Sequence, residues 1–218
     1  MSDLRAAITA KEYYDHDRTG ILRHLASPPT AILEVGCASG HLLAYLTGQG
    51  AKQVVGIEMV PEIAARARSR LPDALILTGL FEEIDDVEIG TGFDLVIISF
   101  VLEHVADPWK VIRRLMQLLR PGGQVIGALP NVRHWSITGP LLLCGRFDYV
   151  EEGILDRTHL RFFTRKSIFD MLTSSGLHDV RIDPVIHGPR SRIANALTFG
   201  LAPDHFAFAF EFSGCVKD

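Results

Sequence analysis

The sequence predicts an α/β fold in which a mostly parallel, seven-stranded sheet carries helices on both faces. Two observations lead to this prediction. Apolar segments of strand length alternate with segments of helical apolar spacing as far as residue 129. The strand-like segments are continuously apolar, as expected for parallel strands buried on both faces. The chain has 218 residues, 47% of them hydrophobic, which is enough for one domain with a full core.

Strands and helices are predicted in the following order. Strands are expected at residues 31–36, 53–58, 74–78, 93–99, 124–129 and 177–186, and in a final segment with Phe206, Phe208, Phe210 and Phe212 on its buried side. Helices are expected at residues 9–26, 40–48, 61–71, 108–120 and 164–175, with a mixed loop and helix at 187–204. The helix from residue 108 has the clearest start, because Asp107 can cap it and Pro108 suits its first turn.

The predicted domain divides into four parts. Residues 1–29 form an N-terminal helical segment, 30–129 the core, 130–163 a cap, and 164–218 a C-terminal helix and strands. The cap is rich in glycine, aromatic, histidine and arginine residues but has weak periodicity. It carries too many large side chains for a linker, so we predict an insertion after the fifth strand.

Residues 31–40 and Glu58 carry the clearest functional signal. A strand-like run, Ala31–Val35, leads into a turn of small residues that ends at Gly40, and a helical pattern follows. A second strand-like run ends on Glu58. Such a turn brings bare backbone close to a ligand at the carboxyl edge of a parallel sheet, and the acid can accept hydrogen bonds from ribose hydroxyls. This pattern predicts a nucleoside-cofactor site.

The spacing of the small residues narrows the choice of cofactor. A dinucleotide fingerprint beginning at Gly36 would need glycine at positions 38 and 41, where this chain has Ala38 and His41. No Gly-Lys-Ser/Thr follows, so the turn is not a phosphate-binding P-loop. The segment instead resembles motif I of class I S-adenosylmethionine (AdoMet) methyltransferases, with Ala38 in place of the middle glycine and Glu34 in place of aspartate.

Further segments extend the resemblance over about 100 residues in the expected order. Residues 93–99 resemble strand 4 of these enzymes, and residues 102–108 resemble the motif that follows strand 4 in ubiquinone-biosynthesis-like methyltransferases. Residues 119–123 resemble the turn before strand 5. The resemblance implies a Rossmann-like class I methyltransferase fold, AdoMet as cofactor and S-adenosylhomocysteine as product. It also implies a set of cofactor-binding residues: Glu34, Gly36, Cys37, Ala38, Gly40, Glu58, Met59, Phe81 and Ser99.

Some of these assignments have structural alternatives. Glu34 could instead cap local amides, and Met59 could fill the core. The family commonly has aspartate at the position of Leu80, where it holds the adenine amino group. In its absence, Phe81 could stack on adenine and Glu82 could take the amino group.

The cap supplies the candidate acceptor-binding residues. Residues 145–149 and 153–164 are similar to the cap of a bacterial methyltransferase subgroup associated with glycan and cell-surface gene products. Trp135 and Tyr149 could stack on a ring or sugar, or simply bury an edge of the cap. Asn131 and Arg161 complete the predicted substrate set; for Arg161 the alternative is an ion pair with an acid.

Three residues are candidates for catalysis. His104 follows strand 4, where the transferable methyl group would lie, and a neutral imidazole can accept a proton from a hydroxyl nucleophile. His159, oriented by Asp156, is the alternative base. The competing interpretations are a histidine at a helix start that bonds backbone, and a polar cluster that stabilises the cap. Glu103 is a weaker candidate.

The expected reaction is O-methylation of a small molecule or a glycan. The alternatives are a non-catalytic AdoMet-binding paralogue, a methyltransferase acting on a protein, and an NAD-dependent oxidoreductase. A net charge of −4 without long basic runs disfavours nucleic acid as partner.

The sequence also sets expectations about compartment and metal. Three distant cysteines without metal spacing indicate a reducing, cytoplasmic location, and we expect no metal. We expect neither a signal peptide nor a membrane span, because the first ten residues carry charges and no apolar run is long enough.

Overall fold

The computed structural model describes residues 19–217. Most of the helix predicted over residues 9–26 lies outside the described residues. Its described part, Thr19–His24, is a 3-10 helix.

The described chain alternates strands and helices over most of its length, as predicted. The strands are β1 (Ala31–Val35), β2 (Gln53–Glu58), β3 (Leu75–Thr78), β4 (Phe93–Ser99), β5 (Leu119–Pro130), β6 (His178–Val185) and β7 (Ala209–Cys215). The α-helices are α1 (His41–Gly48), α2 (Pro61–Arg70), α3 (Asp86–Ile89), α4 (Pro108–Leu118), α5 (Trp135–Cys144), α6 (Arg165–Ser174), α7 (Pro189–Leu197) and α8 (Pro203–Phe206).

The strands form one seven-stranded sheet in the order β3-β2-β1-β4-β5-β7-β6. The pairs from β3 to β5 are parallel, and β7 runs antiparallel to both β5 and β6. The chain moves outward from β1 through β2 to β3, then crosses back to β4 beside β1. Strand order therefore reverses between β1 and β4, and in open α/β sheets ligands bind at the carboxyl ends of the strands at such a reversal.

The sheet separates two hydrophobic layers, which confirms the predicted α/β fold with helices on both faces. Alternate residues of the strands point to opposite layers. On one side, Leu33 and Val96 lie in the cluster that contains the buried faces of α4 and α6. On the other side, Ile32 and Ile97 lie in the cluster that contains those of α1 and α2.

Several local expectations were wrong. α4 ends at Leu118 rather than at residue 120, and β5 begins directly afterwards. Phe206 lies in the short helix α8, which starts at Pro203, and only Phe210 and Phe212 of the phenylalanine stripe are fully buried. Proline at a first helical position explains this local break in the strand pattern.

The cap contains a helix that we did not predict. α5 has no buried residue and carries Pro140 in its interior, so it lacks the apolar periodicity on which the prediction of helices depends. No helix within residues 19–217 is both long enough and apolar enough to cross a membrane.

Candidate functional site

The turn after β1 lies at the carboxyl edge of the sheet and has unusual backbone geometry. Gly36 and Gly40 have φ values of 74° and 77°, and Ala38 has φ 49°. The backbone N–H groups of Gly36 and Cys37 both donate to the carbonyl of Ile57, at 2.9 and 3.0 Å. The end of β2 therefore holds the turn in a left-handed conformation that glycine adopts at little cost.

The two glycines also allow close packing. A Cβ added to Gly36 would lie 2.6 Å from Cγ2 of Val101, and one added to Gly40 would lie 3.2 Å from Leu71 and 3.3 Å from Ala67. Gly40 thus gives the close approach between the turn and α2. Its position, one residue earlier than a dinucleotide fingerprint requires, explains why His41 is tolerated as the exposed first residue of α1.

Glu58 joins the turn to the end of β2. Its carboxylate is 5% exposed; Oε2 accepts a hydrogen bond from the Ala38 N–H at 3.0 Å, and Oε1 accepts one from the Val60 N–H at 2.9 Å. A carboxylate oxygen can accept more than one hydrogen bond, so bonds from backbone N–H groups do not exclude bonds from the hydroxyl groups of a ligand. Glu58 can therefore organise the turn and still bind a ligand.

The other predicted cofactor residues occupy different environments. Glu34, Cys37 and Ser99 are almost completely buried at the carboxyl half of β1, its turn and the end of β4, whereas Met59 is 54% exposed. Phe81 is 3% exposed, and the Arg114 guanidinium lies 4.3 Å from the centre of its ring. Because the Phe81 ring is buried and contacts Arg114, little of its surface is open to a ligand. The stacking of Phe81 on adenine stays a prediction.

The adenine end of the predicted site is the least defined. Leu80, at the position usually taken by aspartate, is 43% exposed, and the neighbouring Glu82 is also exposed. Both side chains are therefore accessible, and the roles assigned to this segment remain predictions.

A second strained residue follows β4. Phe100 has φ 56°, so non-glycine residues adopt left-handed backbone at the ends of both β1 and β4. Such conformations cost roughly 1–3 kcal/mol and cluster at functional sites. This feature could not be predicted from the sequence, because the type of residue does not reveal its backbone angle.

Beyond β4, a short 3-10 helix (Leu102–His104) meets the cap. The Glu103 carbonyl accepts hydrogen bonds from the N–H groups of Leu160 and Arg161, at 2.8 and 3.0 Å. The His104 and His159 rings meet edge to face, with 4.7 Å between their centres. The structure therefore brings together the two histidines that we proposed as alternative bases.

Hydrogen bonds around these histidines differ from our expectation. Oδ1 of Asp156 accepts from the N–H and the hydroxyl of Thr158, at 2.7 and 2.6 Å. The Thr158 hydroxyl in turn lies 3.0 Å from Nδ1 of His104. Asp156 is thus linked to His104 through Thr158, while Nδ1 of His159 lies 3.0 Å from the Ile154 carbonyl. Thr158, absent from our prediction, connects the predicted acid to the other histidine.

Burial determines the charge of this cluster. Burial, together with a smaller effect of the negative charge of Asp156, raises the pKa of Glu103 to about 8. Burial and the neighbouring His159 lower the pKa of His104. At neutral pH the His104 imidazole is therefore uncharged and able to accept a proton.

The predicted substrate residues divide into anchoring and accessible groups. Nδ2 of Asn131, which is 1% exposed, donates to the Asp204 and Ala207 carbonyls, each at 2.7 Å. Nε of Arg161 donates to the Ala106 carbonyl at 3.1 Å rather than pairing with an acid. These contacts hold the cap in place.

Trp135 and Tyr149 remain accessible, with 41% and 49% exposure, as aromatic contacts for a ligand require. A cavity of about 420 Å³ lies between α5 and residues 146–155. Ile154, whose carbonyl contacts His159, lies on its wall together with Arg146 and Asp148.

Comparison with known families supports this description. A family profile described as a methyltransferase domain matches residues 10–182. The chain belongs to this methyltransferase family. The assignment covers most of the chain and includes the turn, Glu58 and the histidine cluster, and it confirms the class I AdoMet-dependent methyltransferase predicted from the motifs.

Curated relatives include O-methyltransferases. This methyltransferase is 34% identical over 106 residues to a ubiquinone biosynthesis O-methyltransferase from Xanthomonas campestris, covering 47% of this chain and 44% of the relative. It is 28% identical over 107 residues to a malonyl-[acyl-carrier protein] O-methyltransferase from Anoxybacillus flavithermus, covering 49% and 41%. The aligned part thus spans less than half the length of these relatives.

Solved structures share the fold at low sequence identity. A SAM-dependent methyltransferase from Thermotoga maritima, described as a possible histamine N-methyltransferase, superposes with a TM-score of 0.66 at 15% identity, covering 97% of each chain. Phosphoethanolamine N-methyltransferase 2 from Haemonchus contortus, in complex with AdoMet, gives a TM-score of 0.63 at 16% identity and covers 91% of this chain and 52% of that one. These similarities confirm the fold.

Proposed function

We propose that this protein transfers a methyl group from AdoMet to a hydroxyl oxygen of a small-molecule or glycan acceptor. The observation that carries the proposal is the Gly36–Gly40 turn, fastened to Glu58 at the strand-order reversal. Family membership supports methyl transfer, and the names of the curated relatives support oxygen as acceptor atom.

The residues at the turn fit AdoMet. Gly36 and Gly40 leave the backbone bare, and Glu58 offers acceptors for ribose hydroxyls. The methionine end would lie over the turn near Glu34, with Ser99 close by at the end of β4. When bound, AdoMet would supply a methyl carbon that is activated by its sulfonium charge.

The other step that the reaction requires is removal of a proton from the acceptor hydroxyl. A hydroxyl must lose its proton as its oxygen becomes a nucleophile, and a positioned base contributes about 10²–10⁴-fold to such a step. His104 is neutral at pH 7 and shares a contact with His159. One of these two side chains would accept the proton, and the Asp156–Thr158 pair would keep the His104 ring in place.

Residues 130–163 would bind the acceptor. The cavity beside α5 combines the apolar Ile137, Ile154 and Leu155 with the charged Arg146 and Asp148, which suits a ligand with both apolar and hydroxylated parts. Exposed Trp135 and Tyr149 supply aromatic faces for a ring or sugar. We also propose a reducing compartment such as the cytoplasm, because the three cysteines are distant in the sequence and lack metal-binding spacing.

The first test is ligand selectivity. Calorimetric titration with S-adenosylhomocysteine, NAD and ATP should show binding of S-adenosylhomocysteine alone. Selective binding of NAD would favour an oxidoreductase and contradict the proposal.

The second test is turnover. Radiolabelled methyl transfer should be measured on a panel of phenolic, acyl and glycan hydroxyl compounds, with wild type, His104→Ala, His159→Ala and, as a control, exposed His178→Ala. We expect unchanged cofactor affinity in all variants and loss of most turnover in at least one of the first two. Cofactor binding without transfer to any hydroxyl compound would favour a non-catalytic paralogue or a protein acceptor.

A further inference from the structure

Glu103 is an unusual residue for the interior of a domain. Its side chain is 1% exposed, and Oε2 has no hydrogen-bond partner among residues 19–217. A buried carboxyl oxygen without a partner is costly and therefore points to a ligand. One carboxylate oxygen of Glu103 and one ring nitrogen each of His104 and His159 lie within 4.8 Å of one another.

Hydrogen bonds at the Nδ1 atoms of the two histidines favour the tautomer in which Nε2 can bind a metal ion. Nδ1 of His159 lies 3.0 Å from the Ile154 carbonyl, and Nδ1 of His104 lies 3.3 Å from the Thr158 carbonyl. A carbonyl oxygen can only accept, so in the neutral form of each ring Nδ1 carries the proton and Nε2 presents a lone pair. In metal-binding histidines the ring nitrogen that does not bind the metal typically donates a hydrogen bond to a carbonyl or carboxylate, which fixes the orientation and the tautomer of the ring.

We propose that Glu103, His104 and His159 bind a divalent transition-metal ion, with Zn²⁺ as the best match. Two imidazole nitrogens and one carboxylate oxygen form a donor set that Zn²⁺ takes in catalytic sites, where a fourth position stays open. Donor atoms in a tetrahedral zinc site are about 3.4 Å apart, so this cluster must contract by roughly 1 Å or more at its widest. His104 and His159 are only partly buried, which leaves room for that movement.

The two sides of the site are already fixed to each other. Glu103 and His104 belong to the 3-10 helix after β4, whereas His159 belongs to the cap. The backbone bonds from Leu160 and Arg161 to the Glu103 carbonyl hold these segments together. Spacing along the chain could not reveal the site, because one ligand comes from a distant segment.

The role of the ion rests on the proposed function. The ion would bind the acceptor's hydroxyl oxygen at its open coordination position and lower the pKa of that hydroxyl, so that its proton is lost to water. In that case His104 and His159 act as ligands, and neither serves as the proton acceptor. The sequence-based expectation of no metal would then be wrong for this cluster.

The test is metal binding by tag-free protein stripped with a chelator. Calorimetry with Zn²⁺ and visible absorption with Co²⁺ should show one ion per chain and the spectrum of a low-coordinate site. Glu103→Gln, His104→Ala and His159→Ala should each weaken Zn²⁺ binding at least 100-fold, while exposed His178→Ala should leave it unchanged. Far-UV circular dichroism should confirm folding, and His159→Ala, at a partly exposed position, serves if the Glu103 variant does not fold.

S-adenosylhomocysteine affinity, measured on the same samples, separates the two proposals. We expect it to be unchanged by the three ligand substitutions. Wild type that binds S-adenosylhomocysteine but no stoichiometric Zn²⁺ would overturn the metal site alone. Equal Zn²⁺ affinity in wild type and His159→Ala would also overturn it. Zn²⁺ binding without any S-adenosylhomocysteine binding would support the metal site and contradict the proposed function.

Discussion

Replacing Glu58 by glutamine should weaken both the fold and cofactor binding. In the structure the carboxylate accepts hydrogen bonds from the N–H groups of Ala38 and Val60. A glutamine has one acceptor oxygen, so its NH₂ group would face the second N–H. A charge-assisted bond contributes about 1.5–3 kcal/mol, and an unsatisfied buried N–H costs about 1–3 kcal/mol. We therefore expect Glu58→Gln to lower the free energy of unfolding by about 2–4 kcal/mol.

Urea unfolding and calorimetry measure the two effects separately. The matched control is Glu62→Gln, an exposed residue in the first turn of α2 that undergoes the same change in charge. The control should change stability by less than about 0.5 kcal/mol. In Glu58→Gln, S-adenosylhomocysteine affinity should also fall, by about 1–3 kcal/mol. If both variants unfold at the same urea concentration and bind equally well, Glu58 neither holds the turn nor contacts the cofactor.

Three further predictions concern backbone strain and pH. Gly36→Ala should lower the free energy of unfolding by at least about 1–2 kcal/mol, because residue 36 has a left-handed φ. The new Cβ would also lie 2.6 Å from Cγ2 of Val101, so Val101→Ala should restore part of the lost stability in a double-mutant cycle. Ala38→Gly, at φ 49°, should raise the free energy of unfolding by up to about 1 kcal/mol; a loss of stability would mean that the turn is not strained there. Although burial opposes it, hydrogen bonds from Thr30 lower the pKa of Asp94, so this carboxylate stabilises the fold above pH about 4 and the contribution is lost as pH falls further. Asp94→Asn should therefore be destabilising at pH 7 but progressively less so, relative to wild type, as the pH of urea unfolding falls from 5 to 3.

The core of the fold could be predicted because its signal is local. The continuous apolar runs that became β1 and β4 occupy buried central strands, and Asp107 caps α4 as expected, accepting a hydrogen bond from the Lys110 N–H at 3.0 Å. α5 could not be predicted, because its exposed apolar residues follow no burial pattern. Phe206 was misplaced because a four-residue helix was not distinguishable from strand alternation.

The candidate site was predictable only in part, for the same physical reason. The turn and Glu58 lie in short segments whose spacing is visible in the sequence. The Glu103 cluster depends on contacts between the end of β4 and the cap, and on burial that changes the pKa of a carboxyl group. Left-handed backbone at Ala38 and Phe100 also follows from tertiary packing rather than from residue type.

The most direct test of the central claim is calorimetric titration of the folded wild-type protein with S-adenosylhomocysteine, beside Gly36→Val. The account predicts saturable binding of one molecule per chain by wild type. It predicts no measurable binding by the variant, because a branched side chain at this left-handed position, where a Cβ would lie 2.6 Å from Val101, would displace the turn that holds the methionine end. Absence of binding by folded wild type, or equal affinity in the two proteins, would contradict the assignment of the cofactor to this turn.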